Sequence, residues 1–157
     1  MYYQNYKNHN KLKDVIKKYG CFFLSCVNMC ELITGIELDK IEINDLWDFH
    51  KDVKDINEND DIINSENIIN SCLFITGSKK KIREIATKQN GIINYYRSVS
   101  NEYRNKENEY YYIQKIITEN DNTHFRIVDK NDVVIFDSFY PIPKIKKVLY
   151  TIVYTIK

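Results

Sequence analysis

The stretch Tyr19-Gly20-Cys21-Phe22-Phe23-Leu24-Ser25-Cys26-Val27-Asn28-Met29-Cys30-Glu31-Leu32-Ile33 decides how this chain is read. It is the one long run with almost no charge. Its apolar residues fall on every side of a helical wheel, which is the pattern of a helix buried all round. Gly20 can turn the backbone at its head, and Gly35 can end it. The run is shorter than the roughly 20 apolar residues that cross a bilayer. The spacing therefore predicts a central helix from Cys21 to about Ile33, with the rest of the fold around it. Cys21 then opens that helix, directly after a glycine turn. Unpaired backbone N–H groups and the helix dipole favour a thiolate over a thiol at such a position.

Upstream, the spacing of Leu12, Val15 and Ile16 predicts a short amphipathic helix or turn within Asn10 to Lys18. Downstream, Ile36 to Ile43 reads as a connection. Asn44 can cap a helix to about Val53 that carries Leu46, Trp47, Phe49 and Val53 and includes His50, with Trp47 and Phe49 in the core. Asp52 to Asn64 is acidic and Asn-rich, and reads as an exposed loop. Ser65 can cap a short helical turn, and Cys72 to Gly77 is a brief apolar run. Ser78 can cap a helix to about Gln89, with Ile82, Ile85 and Ala86 inward and Gly91 ending it.

After Gly91 the apolar period changes to two. Ile92–Ser100, Glu109–Thr118, Thr123–Asp129, Val133–Asp137 and Lys147–Ile156 read as strands. Helices followed by antiparallel strands give an α+β domain. The chain reads as one domain, 1–157, with a helical part to residue 91 and a sheet part from 92.

A length of 157 residues suits one domain. The balance of 23 Lys and Arg against 22 Asp and Glu, net +1, argues against a dedicated nucleic-acid binder. No secretory signal and no membrane-spanning run is visible. The expectation is a cytoplasmic protein whose four cysteines, Cys21, Cys26, Cys30 and Cys72, are reduced thiols.

A second stretch bears on chemistry. Thr123-His124-Phe125-Arg126-Ile127-Val128 and Val133-Val134-Ile135-Phe136-Asp137-Ser138 flank the polar turn Asp129-Lys130-Asn131-Asp132. A hairpin centred on Lys130 and Asn131, with a two- or four-residue loop, sets Val128 against Val133, Arg126 against Ile135 and His124 against Asp137, whereas a three-residue loop would shift that register. Directly opposed residues share a sheet face, so Asp137 can accept a hydrogen bond from the His124 ring. The other face would send Phe125, Ile127, Val134 and Phe136 into the core. A thiol at a helix N-terminus, an imidazole to take its proton and a carboxylate to orient that imidazole form a nucleophilic set.

In these residues the chain resembles the papain-like cysteine peptidases, most of all the bacteriocin-leader-processing peptidases. Gly20-Cys21 heads a buried helix, His124 begins a strand and Asp137 lies on the next. The resemblance covers the central helix and the C-terminal hairpin. It implies a papain-like fold, with N-terminal helices around the buried helix packed on an antiparallel sheet. It also implies Cys21 as nucleophile, His124 as general base and Asp137 as its orienter. The substrate would be a peptide or protein, cleaved at an amide or thioester through an acyl-enzyme, with no cofactor, nucleic acid or membrane involved. The chain is also similar to a family of small proteins from spirochaete plasmids and prophages. Those peptidases carry a glutamine about six residues before the cysteine as an oxyanion donor, and here that position is Val15. The backbone N–H of Cys21 remains as one donor, with Gln4, Asn10 or Tyr19 as candidates for another. The alternative is a papain-like binding module that has lost the chemistry.

Other features have plainer readings. Cys26, Cys30, Cys72 and His50 can be drawn as a metal set, but they lack the paired short spacing of structural zinc. Gly77-Ser78-Lys79-Lys80-Lys81 resembles a phosphate-binding helix start without P-loop spacing. Tyr95-Tyr96 and Tyr110-Tyr111-Tyr112 could stack bases or sugars, though tyrosine is a common strand residue.

Overall fold

The computed structural model describes Tyr2 and residues 12–105, 107–139 and 141–156. Among them are four helices and six strands, an α+β arrangement. Helix α1 spans Asp14–Tyr19 and helix α2 spans Cys21–Thr34, so the central helix lies where its composition placed it. Gly20 joins the two. Its N–H donates to the Ile16 carbonyl at 2.8 Å, and its own carbonyl accepts from Leu24 N at 2.7 Å. Its φ of −88° is open to any residue. What demands glycine is space, because a Cβ would sit 2.3 Å from the Ile16 carbonyl oxygen. Gly35, at φ +73°, ends α2 in the left-handed region.

Every residue of α2 from Phe23 to Cys30 is buried. Phe23 meets the Trp47 ring edge-on at 5.0 Å. Burying one such side chain is worth roughly 1.5–3 kcal/mol, so α2 is the main apolar anchor of the helical layer.

Helix α3 runs Lys40–Asp52, one turn earlier than an Asn44 cap would allow. Asp39 caps it, with its carboxylate accepting from Glu42 N at 2.8 Å while the Glu42 carboxylate accepts from Asp39 N at 3.1 Å. Asn44 is spent elsewhere, accepting from Lys13 N at 2.9 Å. Trp47 is buried, but Phe49 is 54 % exposed and does not join the core. The following loop is not wholly exposed: Asp55 and Ile56 are buried, and Ile56 bridges to Ile62. Helix α4, Ser65–Ile75, is capped by Asn64 and absorbs the apolar run expected to stand apart from it.

The strands are β1 (Ile82–Gln89), β2 (Ile92–Tyr95), β3 (Tyr110–Thr118), β4 (Thr123–Val128), β5 (Val134–Asp137) and β6 (Ile145–Ile156). They form one antiparallel sheet in the order β2-β1-β6-β3-β4-β5. Helices α2 and α4 pack on one face, against Ile113, Ile127, Phe136, Ile152 and Tyr154. On the other face a smaller cluster gathers Ile85, Ala86, Val99, Tyr103 and Val153. Tyr95, Tyr96, Tyr110 and Tyr112 pack against that cluster, so those tyrosines cover the sheet.

The expected helix from Ser78 to Gln89 is instead the strand β1, and the sheet therefore begins at residue 82. A bulge explains the misreading. The pairing with β6 slips between Glu84 and Ala86, and Ile85 and Ala86 are both buried. Buried residues at 82, 85 and 86 imitate a helical period. Asn90-Gly91, at φ +52° and +77°, is a two-residue hairpin turn into β2, not a helix stop. The Gly77–Lys81 segment leads into this strand and starts no helix.

Candidate active site

Three elements bring Cys21, His124 and Asp137 together. Cys21 is the first residue of α2, half-buried at the helix N-terminus. His124 is the second residue of β4 and Asp137 the last of β5; both are buried. Phe22, next to Cys21, stacks on Phe125, next to His124, with ring centroids 4.0 Å apart. That stack fastens the helix start to the strand start.

The His124 Nε2 and Asp137 Oδ1 atoms are 2.5 Å apart, although the hairpin register differs from the expected one. Asp137 opposes Arg126, two residues along from His124, and Phe136 opposes Ile127. The pairing slips between Ile127 and Val128, which leaves Ile135 outward and 45 % exposed. A shift of two residues keeps the same side chains on the same face. Asp137 therefore still shares the face of His124, as a diagonal neighbour within reach of the ring.

With Nε2 turned to Asp137, Nδ1 is the nitrogen left for the cysteine. It is buried and makes no hydrogen bond of full geometry, while the Cys21 thiol lies within looser hydrogen-bonding reach of the ring. Burial pushes the His124 pKa down. The hydrogen bond to Asp137, and the hydrogen bond and charge interaction with Cys21, outweigh burial and raise it to about 9. Burial pushes the thiols of Cys26, Cys30 and Cys72 up.

Sequence reasoning did not find the residues behind this set. Arg126 is buried and directly opposite Asp137, with its Nε donating to Gln114 Oε1 at 2.9 Å. Burial lowers its pKa, and the charges of Asp137 and Asp132 oppose that. Phe139 lies over His124, with ring centroids 4.9 Å apart, and its N–H donates to Asp137 Oδ1 at 2.9 Å. The signal available for Arg126 was its alternation in phase with His124 along β4.

Cys21 and His124 open on a cleft of about 950 Å³. Lys115 stands in it, its ammonium 5.4 Å from the Phe125 ring and 5.6 Å from the Tyr150 ring. Tyr19 also lines the cleft, whereas Val15 packs against the core. Gln114, committed to Arg126, takes no part in the lining. Gln4 and Asn10 lie outside the described residues.

The drawn set of His50 with Cys26, Cys30 and Cys72 is not assembled. His50 bonds to Asp55 and Ser71, and the described residues hold no group of three or more suited to a metal ion. Among those residues no helix is long and apolar enough to cross a membrane. Comparisons with protein-family models, with curated proteins and with solved structures find no match.

Proposed function

We propose that this chain is a papain-like cysteine hydrolase acting on a peptide or protein amide, or on a thioester, through Cys21, His124 and Asp137. The observation that carries this reading is one buried imidazole, bonded to a buried carboxylate, beside a helix-terminal cysteine. The Cys21 proton passes to His124 Nδ1, and the sulfur attacks the substrate carbonyl carbon. The tetrahedral oxyanion forms at the N-terminus of α2, on the favourable end of its dipole. Collapse breaks the scissile bond, and His124 gives its proton to the leaving amine or thiol. Water, deprotonated by His124, then attacks the thioester, releasing the acid and restoring Cys21. Asp137 holds the ring in the required tautomer and supports its positive charge.

A second reading, a papain-like binding module without turnover, is favoured by Val15. It packs against the core where a glutamine donor would be needed, and one lost oxyanion donor typically costs about 10²–10³ in rate.

Iodoacetamide labelling of each cysteine, followed by peptide mass spectrometry, tests the first reading. Cys21 should react at least about tenfold faster at pH 7 than Cys26, Cys30 or Cys72, and His124→Ala should remove that advantage. Slow labelling of Cys21, or labelling indifferent to His124→Ala, would sink the hydrolase and leave the binding module.

A further inference from the structure

We propose that Ser71, His50 and Asp55 form a second nucleophilic centre, separate from the Cys21 cleft, that hydrolyses esters of apolar acyl or aryl groups. His50 comes from the last turn of α3, Asp55 from the turn after it and Ser71 from the middle of α4. His50 Nδ1 lies 2.7 Å from Asp55 Oδ2, and its Nε2 lies 3.0 Å from Ser71 Oγ. With Nδ1–H donating to the carboxylate, Nε2 accepts from the serine hydroxyl. These are the contacts a serine nucleophile, its base and the orienting acid require.

The carboxylate is itself fixed. Asn67 Nδ2 donates to Asp55 Oδ1 at 3.1 Å, and the Asp55 carbonyl accepts from Ile63 N at 2.7 Å and Asn64 N at 3.2 Å. His50 is buried, while Ser71 is half-buried. All three line a cleft of about 750 Å³ between α3 and α4.

Two features separate this set from a purely structural tie. Ser25 and Thr34 sit in helix α2 and turn their hydroxyls back to the carbonyl four residues earlier, Cys21 O and Cys30 O. That is the ordinary resting place of a helical hydroxyl. Ser71 instead bonds to the imidazole. The cleft is also built for an apolar guest: Phe49, Val53, Phe74 and Ile75 line it and are exposed, Phe74 at 82 %. Asn67, one turn before Ser71, lines the same cleft, and its amide carries a second N–H beyond the one given to Asp55. It is the residue placed to receive an oxyanion.

The balance is that of ester hydrolysis. The Ser71 proton passes to His50 Nε2 as Oγ bonds to the carbonyl carbon. Collapse breaks the bond to the leaving oxygen, which takes that proton from His50 and departs as an alcohol. Water, deprotonated by His50, cleaves acyl-Ser71 to the acid and restores the serine.

The test uses the full chain carrying Cys21→Ala, which removes the first site. An alkyl fluorophosphonate would form an O–P bond at the nucleophilic serine and expel fluoride. Peptide mass spectrometry should find the label on Ser71 in preference to Ser25, Ser65 and Ser78. Asp55→Asn should cut the labelling rate at least about tenfold while far-UV circular dichroism stays unchanged. p-Nitrophenyl butyrate turnover in Cys21→Ala should be lost with Ser71→Ala. Absence of label on Ser71 in folded Cys21→Ala protein, or labelling unchanged by Asp55→Asn, would overturn the proposal whether or not the other variants fold.

Discussion

His50 and His124 are both buried, and they are held in different ways. His50 has a partner on each ring nitrogen, all drawn from neighbouring helices and the loop between them. His124 has its carboxylate partner on Nε2 and an Nδ1 left short of a full hydrogen bond beside Cys21. The carboxylates engage opposite nitrogens, Nδ1 in one case and Nε2 in the other, so the rings turn opposite edges toward Ser71 and Cys21. The surroundings differ as well. Asp137 has the buried Arg126 directly across the sheet, whereas the buried Asp55 carboxylate accepts from the amide of Asn67. A sheet holds charged groups in fixed register and excludes water; a helix end with a loop holds them more loosely.

The largest effect that can test this contrast is the pH dependence of stability. The His124 pKa is raised from 6.5 to about 9 in the folded state. A raised pKa means that folding takes up a proton. The stabilisation is full below pH 6.5 and is lost as pH rises through about 9. The shift corresponds to about 3 kcal/mol. Urea midpoints measured between pH 6 and 8.5 should therefore fall with pH in the wild type, and His124→Gln should flatten that fall. Cys21→Ala should flatten it in part, since Cys21 helps to raise the pKa. Parallel profiles for wild type and His124→Gln would mean that no imidazolium is held there.

Next in size is a backbone effect confined to the first site. Gly20→Ala would drive a methyl to 2.3 Å from the Ile16 carbonyl oxygen, and Gly20 is also the residue from which α2 starts. Overpacking of this kind costs about 1–3 kcal/mol. The variant should unfold at lower urea and label more slowly at Cys21, because the helix start must shift. Fluorophosphonate labelling at Ser71 should be untouched. A matching loss at both sites would show that the two are not independent.

How far the sequence carried the reading follows the same division. Cys21 was legible because a run with almost no charge between two glycines is an unusual local signal, and the helix forms on it. The contact of His124 with Asp137 was legible because a two-residue slip leaves side chains on their face, so the wrong register still reached the right neighbour. Ile85 and Ala86 misled because a bulge turned a strand's alternation into a helix-like spacing. Gly91, read as the end of that helix, instead belongs with Asn90 to a hairpin turn. The His50 cluster was hidden for another reason. Nothing in Asp52–Asn64 announces that Asp55 folds inward, since its burial depends on where α3 ends and where α4 passes. Arg126 likewise reads as an ordinary outward strand residue until Asp137 is placed opposite it.

The smallest expected effect separates a guest-binding cleft from bare surface. Phe74 is 82 % exposed, and replacing such a residue usually changes stability by no more than about 0.5 kcal/mol. Phe74→Ser should accordingly leave the urea midpoint within that margin. If the cleft binds an acyl chain, the same change should raise KM for p-nitrophenyl butyrate in the Cys21→Ala background and leave kcat nearly constant. The side chain touches the guest and not the reacting atoms, so it contributes equally to the ground and transition states. A fall in kcat with unchanged KM would place Phe74 with the positioning of Ser71. No change in either would mean that ester groups enter from the Glu42 and Asp45 side, away from the aromatic rim.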